Sequence, residues 1–321
     1  MYYLGIDLGG TNIAAGIVND SFEIVKKDKT PTKAHRPLNE IMDDMAALCE
    51  RLVNDCNLTF ADIQYVGIAS PGSIDPVNRV VRYSNNIPMQ EFAIGEELKK
   101  RLPITEVYLE NDANAAALAE AKAGVGKGCH NLVMLTLGTG IGGGVVIDGK
   151  LYSGFNYTGA ELGHTVIEVG GKACTCGRKG CFEAYCSATG LKNLTIEKLQ
   201  ETKDTIMWQM VNGDLENING RTAFDAAKQG DKAGQEVVDT YINYLACGIT
   251  NMVNIFQPQV LCIGGGVCGE GDYLLNPIIK LVERDQYGAE HQKNPAKIKI
   301  AELGNDAGII GAALLGVSLQ K

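Results

Sequence analysis

The chain has 321 residues, 45% hydrophobic and 21% charged, which is enough for one large globular domain or two of ordinary size. Its net charge is −9 and Lys99-Lys100-Arg101 is its longest basic run, which argues against nucleic acid or an anionic membrane surface as the main partner. No basic leader precedes the first apolar run, and no apolar stretch is long enough for a membrane helix. We therefore expect a cytoplasmic protein whose ten cysteines are mostly reduced.

The N-terminal half alternates strand and helix patterns. Apolar runs at 3–6 and 13–18 flank Gly9-Gly10, which predicts a strand, a glycine turn and a second strand. Apolar residues at helical spacing predict a helix within 38–56. The runs "YVGIAS" and "EVYLEND" are typical of buried strands, and the second leads into a predicted helix that is capped near Asp112 or Asn114.

The second half repeats the first theme. Residues 131–150 predict a strand, a glycine turn, a strand and an Asp-Gly turn. This is a weak internal duplication, in pattern rather than in residue identity. Helices are predicted at 241–256 and 272–285, and a strand leads into Gly264. The alternation predicts an α/β fold, and the duplication predicts two lobes with related cores.

Three glycine-rich turns follow predicted strands, at 7–12, 137–144 and 264–267. Each is either a tight hairpin turn or a cradle of backbone amides for nucleotide phosphates, where a Cβ would block close approach and positive φ. In the second case Asp7, just before the first turn, would face Mg²⁺ directly or through water.

Two of these turns match the pattern G-x-G-x-x-G, once at Gly138, Gly140 and Gly143 and once at Gly264, Gly266 and Gly269. A dinucleotide site needs a helix directly after the glycines and an acidic strand end about 20 residues later. The first match is followed by a predicted strand, and the second by no such acidic strand. The context therefore disfavours a dinucleotide cofactor.

The stretch "CTCGRKGC" holds Cys174, Cys176 and Cys181. One intervening residue disfavours a disulfide between the first two, and the spacing differs from the C-x-x-C of redox sites. Three thiolates need a fourth ligand for tetrahedral Zn²⁺, and His164 is the nearest histidine, with Cys186 as a rival ligand. A filled set of this kind is a structural zinc site with no open position for a catalytic water.

A carboxylate follows the strand "YLEN" at Asp112. Asp is a good helix cap, but an ionised Asp with a pKa of about 4 can also act as a general base that accepts the proton of a substrate hydroxyl. Both interpretations are open on the residues alone.

Six segments occur in the order and spacing of one known family: "GIDLGGTN", "ENDANAAALAE", "LGTGIGGGVV", "GAELGH", "CTCGRKGCFE" and "LCIGGGV". Over essentially its whole length the chain resembles the ROK family of sugar kinases, transcriptional repressors and related proteins, most of all the bacterial glucokinases. The resemblance implies a two-lobe actin-like ATPase (ribonuclease H-like) fold, with ATP and sugar in the interlobe cleft. It implies a small lobe of residues 1–119 plus about 305–321, and a large lobe of residues 120–304 that carries the zinc motif.

The resemblance also implies roles for residues at matching positions. Gly9, Gly10, Thr11 and Asn12 resemble the first phosphate loop and Thr136, Gly138, Thr139 and Gly140 the second, while Gly265 and Gly266 would lie near the adenosine. Asp112 would be the general base, and sugar hydroxyls would contact Asn86 of "SNNIP", Asn111, Asp112, Glu161, His164 and Glu183. His164, Cys174, Cys176 and Cys181 would hold structural zinc. One departure is Ala14, where related glucokinases commonly carry a lysine.

The implied activity is ATP-dependent phosphorylation of glucose to glucose 6-phosphate with Mg²⁺, in a homodimer or homotetramer. The alternatives are a kinase for another hexose or an N-acetylhexosamine (fructose, mannose, N-acetylmannosamine or N-acetylglucosamine) and a sugar-responsive repressor. Such repressors carry an N-terminal helix-turn-helix extension, and the predicted kinase lobe starts at Met1, which disfavours them. No side chain in the sequence distinguishes one hexose epimer from another.

Overall fold

A computed structural model describes residues 1–319 of the chain. The chain groups into two compact units. The first unit contains Met1–His130, Gly144–Ala160 and the residues from Glu302 onward, and the second contains Asn131–Gly143 and Glu161–Ala301. The domain limits that the resemblance implies stay a prediction. Across residues 1–319, no helix has both the length and the apolar character needed to cross a membrane.

The elements alternate along the chain as predicted. The strands are β1 (Tyr2–Leu8), β2 (Asn12–Asn19), β3 (Ile24–Pro31), β4 (Ile63–Ser70), β5 (Ser73–Asp75), β6 (Val80–Ser84), β7 (Met89–Phe92), β8 (Val107–Asn111), β9 (Leu132–Leu137), β10 (Ile141–Ile147), β11 (Lys150–Leu151), β12 (Val260–Gly264) and β13 (Lys297–Ile300). The helices are α1 (Leu38–Asp55), α2 (Ile94–Lys99), α3 (Asp112–Lys122), α4 (Phe182–Cys186), α5 (Ala188–Glu201), α6 (Met207–Met210), α7 (Thr222–Lys228), α8 (Lys232–Phe256), α9 (Asp272–Asp285) and α10 (Ala307–Leu319).

The first unit is built on a sheet of order β3-β2-β1-β4-β8. The strands β1, β4 and β8 run parallel, and β2 and β3 continue the sheet antiparallel. The central strands are nearly continuous apolar runs, as expected for strands covered on both faces. Because the register aligns Asp7 with Ala69 and Ala69 with Glu110, the carboxyl ends of β1 and β8 share one edge of the sheet.

Helices cover both faces of this sheet. The helix α1 buries Ile41, Met45, Leu48 and Leu52 at helical spacing, in one core with the apolar residues of β1, β2 and β4. On the opposite face, α10 packs on β1 and β4, and the hydroxyl of Tyr65 donates to Ala313 O at 2.5 Å. The sheet edge that carries Asp7 is therefore supported by a buried core on each face of the sheet.

The second sheet has the order β11-β10-β9-β12-β13, which repeats the strand order of the first. The strands β9, β12 and β13 run parallel, like β1, β4 and β8. Gly264 aligns with Thr136, so the second and third glycine turns both begin at the carboxyl ends of parallel neighbours. The duplication predicted from the strand patterns is thus present in the sheet topology.

A small third sheet, β5-β6-β7, belongs to the first unit. The turn 85–88 between β6 and β7 carries Asn86. Asp75, at the end of β5, is buried and accepts hydrogen bonds from Asn78 and Arg82, which tie the strand to its neighbour.

Candidate functional site

The first glycine turn is held by hydrogen bonds from a distant strand end. Gly9 N donates to Asn12 O at 3.0 Å across the turn. The Thr32 side chain donates to Gly9 O at 2.6 Å, and its backbone N donates to Thr11 O at 2.9 Å. Thr32 is completely buried, and it is a positioning residue that the sequence patterns did not reveal.

Two predicted sugar and phosphate residues of the first unit lie against each other at this turn. A Cβ on Gly10 would stand 3.4 Å from Asn86 O and 3.6 Å from Asn86 Cβ. The structure therefore brings the turn 85–88 up to the first glycine turn. Asn86 itself is exposed.

Two carboxylates stand at the same sheet edge. Asp7 is half-buried near the end of β1, and Asp112 is the first residue of α3. Burial, and next the negative charge of Asp112, raise the pKa of Asp7 to about 6. Because Mg²⁺ is bound by one or two carboxylates and keeps several waters, this pair beside a turn of backbone amides fits an Mg²⁺–nucleotide.

Asn111, the residue directly before Asp112, caps α3, which agrees with the prediction of a cap near Asp112. Asn111 Oδ1 accepts from Ala113 N at 2.9 Å and from Asn114 N at 3.2 Å, while its Nδ2 donates to Gly72 O at 3.2 Å. Both ends of the Asn111 amide are thus held within the first unit. This fixes the start of the helix that carries Asp112.

The second glycine turn is anchored to α5. Gly138 N donates to Gly140 O at 3.0 Å, and Ala188 N donates to Gly138 O at 2.8 Å. The hydroxyl of Thr189 donates to Thr139 O at 2.8 Å. Hydrogen bonds to the carbonyls of Gly138 and Thr139 therefore fix the orientation of two successive peptide groups in the turn.

Two of the predicted glycines, Gly140 and Gly265, stand so close to neighbouring atoms that a Cβ would collide with them. Of the predicted phosphate-loop and adenosine glycines, Gly265 alone has a positive φ, of 106°, so the general expectation of positive φ was wrong. A Cβ on Gly265 would lie 2.2 Å from Leu137 O, and one on Gly140 would lie 2.3 Å from Glu183 Oε2. No side chain larger than hydrogen fits at either place without movement.

The four predicted zinc ligands come together. The Nδ1 atom of His164 lies 3.7 Å from Cys174 Sγ, and Cys176 Sγ lies 3.6 Å from Cys181 Sγ. The four donor atoms all lie within 4.8 Å of one another, and Cys186 is not among them. Zn–S bonds of about 2.3 Å in a tetrahedron separate sulfurs by just under 4 Å, so this donor set fits a structural Zn²⁺.

The two predicted sugar carboxylates of the second unit differ in their surroundings. Glu161 is exposed and precedes a single 3₁₀ turn, Leu162–His164. Glu183 is half-buried in the first turn of α4, and its Oε2 accepts from Ile141 N at 2.8 Å. Glu183 thus connects the cysteine segment to the second glycine turn, which the sequence patterns did not reveal.

The sequence matches the ROK family over residues 3–318. The chain belongs to the ROK family. A glucokinase of Thermotoga maritima is 37% identical over 97% of this chain and 95% of its own length. An N-acetylgalactosamine kinase, AgaK, of a Shewanella species is 30% identical over 100% of this chain and 98% of its own.

The fold is that of ROK kinases of known structure. The crystal structure of a ROK family glucokinase from Streptomyces griseus, in complex with glucose and AMPPNP, superposes with a TM-score of 0.82 at 31% identity and covers 100% of both chains. This confirms the predicted two-lobe actin-like ATPase (ribonuclease H-like) fold.

Proposed function

We propose that the protein is an ATP-dependent kinase that phosphorylates the 6-hydroxyl of glucose to give glucose 6-phosphate and ADP. The observation that carries the proposal is the position of Asp112, at the start of α3 and within electrostatic reach of Asp7, at the edge where the first glycine turn begins. The identity of 37% to a glucokinase supports the choice of sugar.

In the proposed reaction, the Asp112 carboxylate accepts the proton of the 6-hydroxyl as O6 bonds to the γ-phosphorus. The bond from the γ-phosphorus to the β–γ bridging oxygen breaks, and ADP carries that oxygen away. Asp7 would hold Mg²⁺ directly or through water, and the bound ion would neutralise charge at the phosphates. The turns Gly9–Asn12 and Thr136–Gly140 hold and orient the phosphates through backbone amides other than those of Gly9 and Gly138, which donate within their own turns, and Gly265 and Gly266 lie beside the adenosine.

We assign sugar contacts to Asn86, Asn111 and Asp112 in the first unit and to Glu161, His164 and Glu183 in the second. Carboxylates suit this role because each can accept from two adjacent hydroxyls. The metal cluster would hold His164, and through the chain Glu161 and Glu183, in place. His164 Nδ1, which lies 3.7 Å from Cys174 Sγ, would be the nitrogen that ligates the metal, and Nε2 would then be available to a sugar hydroxyl.

A kinase for another hexose or an N-acetylhexosamine is the second candidate, and the identity of 30% to an N-acetylgalactosamine kinase favours it. We also propose that the protein is cytoplasmic, because its cysteine cluster needs reduced thiolates. We further propose that it forms a homodimer or a homotetramer.

A coupled ADP-release assay over a panel of sugars at fixed MgATP tests the proposal. The panel contains glucose, mannose, fructose, N-acetylglucosamine, N-acetylmannosamine and N-acetylgalactosamine, and we expect the highest kcat/KM for glucose. A higher value for an N-acetylhexosamine selects the second candidate, and no ADP release with any sugar contradicts a kinase function.

A further inference from the structure

Residues 26–29 of β3 alternate between the two faces of the first sheet. Lys26 and Asp28 face α1, where they pair with Asp55 at 3.4 Å and Arg51 at 2.8 Å. Lys27 faces the α10 side, where its Nζ lies 2.6 Å from Asp306. Because side chains alternate along a strand, Lys29 lies on the same face as Lys27.

The strand register places Lys29 in line with the candidate site. Lys29 is directly opposite Ala14 on β2, and Ala14 is directly opposite Asp7 on β1. Directly opposed residues share a face, so these three side chains form one row across the sheet. Adjacent strands are about 4.8 Å apart, so Lys29 stands two strands, or about 10 Å, from Asp7.

This row lines a cleft of about 680 Å³ within the first unit. The cleft is also lined by the turn Gly9–Asn12 and by Asp306. The methyl group of Ala14 leaves the space between Asp7 and Lys29 open, and the long side chain of Lys29 can reach into it from the far side.

The two lysines that line the cleft differ in whether an acidic side chain pairs with them. Lys27 is neutralised by Asp306, whereas Lys29 makes no ion pair with any residue in the part of the chain that the structure describes. An ammonium without a counter-ion, in a cleft that also offers backbone amides, attracts an anion. The anion at this turn in the proposed function is the polyphosphate of the nucleotide.

We propose that Lys29 binds the terminal phosphates of the nucleotide from β3, across Ala14, and so supplies the positive charge that position 14 does not. The proposal rests on the proposed function, because it takes the cleft at the first glycine turn as the site of MgATP. The proposal adds a phosphate ligand from β3, a strand that is not part of the glycine motif Gly9–Asn12.

Lys29→Ala tests the proposal, with Lys26→Ala as the matched control, because Lys26 lies on the same strand, is exposed and carries the same charge but faces α1. Binding of MgATP, MgADP and AMP to the full chain is measured by titration calorimetry, and KM for ATP and for glucose by ADP release. In Lys29→Ala we expect about tenfold weaker ATP binding, equal to about 1.4 kcal/mol, with AMP binding and KM for glucose unchanged. Lys26→Ala should behave as wild type, and Ala14→Lys combined with Lys29→Ala should regain ATP affinity.

ATP affinity that Lys29→Ala leaves unchanged overturns the inference, as does an equal loss for ATP and AMP or an equal loss in Lys26→Ala. The proposed function is judged separately, on turnover by the wild type. A wild type that turns over glucose, with a Lys29→Ala variant of unchanged KM for ATP, refutes the role of Lys29 alone. A wild type without turnover that binds ATP through Lys29 refutes the kinase and keeps the phosphate site.

Discussion

The Oε2 atom of Glu183 accepts the backbone N–H of Ile141 at 2.8 Å. Its other oxygen, Oε1, lies 3.6 Å from Cys174 Sγ and 3.4 Å from the hydroxyl of Thr175. One carboxylate thus joins the cysteine cluster to the residue that follows Gly140. Glu183, a proposed sugar ligand, is therefore also a positioning residue for the proposed second phosphate loop. A change at Glu183 should affect the binding of both sugar and ATP.

Glu183→Ala and Glu183→Gln should separate these two roles. Alanine removes the acceptor of Ile141 N–H, a hydrogen bond of about 1–1.5 kcal/mol, so we expect KM for ATP to rise about five- to tenfold and KM for glucose to rise as well. Glutamine keeps an acceptor but loses the charge, so KM for glucose should rise while KM for ATP stays within twofold of wild type. Steady-state kinetics with each substrate varied in turn give both values.

Glu161→Ala is the control for this pair of variants, because Glu161 is exposed and, among the described residues, its side chain makes no hydrogen bond to the second glycine turn. It should raise KM for glucose and leave KM for ATP unchanged. If Glu183→Ala leaves KM for ATP unchanged too, the positioning role of Glu183 is wrong.

Asp112→Asn should abolish most of the turnover while the protein still binds both substrates. An amide cannot accept the hydroxyl proton as a base, and such groups contribute about 10²–10⁴-fold to rate. We expect kcat to fall by that amount, with the dissociation constants for glucose and MgATP within about threefold of wild type, measured by calorimetry and ADP release. Turnover like that of wild type would refute the assignment of Asp112 as base.

Patterns local in the chain predicted much of this fold. The helix predicted at 272–285 is α9, and the strand, glycine turn and strand of both halves are β1–β2 and β9–β10, because turn residues bound each apolar run. The zinc ligands could be proposed because His164 and Cys181 are only 17 positions apart, with the other ligands between them.

The features that the sequence did not reveal depend on tertiary register. Thr32 and Lys29 approach the first turn from β3 and its end, and a strand pairing that shifted by one residue would turn Lys29 to the other face. The sequence left the cap of α3 open between Asp112 and Asn114, and the structure places it at Asn111, because Asn and Asp side chains all make good caps.

Loss of zinc should weaken sugar binding before it affects ATP binding. Zinc would fix the segment from His164 to Cys181, and the proposed sugar ligands flank it, with Glu161 three residues before His164 and Glu183 two residues after Cys181. We expect Cys176→Ser to lose bound zinc, measured by atomic absorption, and to bind glucose at least tenfold more weakly, with ATP affinity within twofold of wild type. A metal-free protein with full sugar affinity would rule this out.

Cys247→Ser is the matched control for the zinc prediction. Cys247 is an exposed thiol on α8 and is not part of the cluster. This variant should keep both the zinc content and the glucose affinity of the wild type, and a loss in both variants would point to a general effect of removing thiols.

Asp75 should give the first unit a stability that depends on pH. Hydrogen bonds from the side chain and backbone N–H of Asn78, together with Arg82, lower the pKa of Asp75 from 3.8 to about 2. A lowered pKa in the folded state adds stability above the unfolded value, and this stability is lost as the pH falls through about 2. Asp75→Asn should therefore reduce the free energy of unfolding by about 1–3 kcal/mol at pH 7, and by less at pH 3.

Urea unfolding at pH 7, 5 and 3 measures this dependence, with Asp55→Asn as the control. Asp55 carries the same charge but lies in an exposed pair with Lys26, which contributes at most about 1 kcal/mol. The loss in Asp75→Asn should be equal at pH 7 and pH 5, because both lie above 3.8, and should shrink at pH 3, where the unfolded carboxyl is protonated and the folded one is still ionised. A loss that stays constant from pH 7 to pH 3 would show that the buried hydrogen bonds of Asp75 do not depend on its charge.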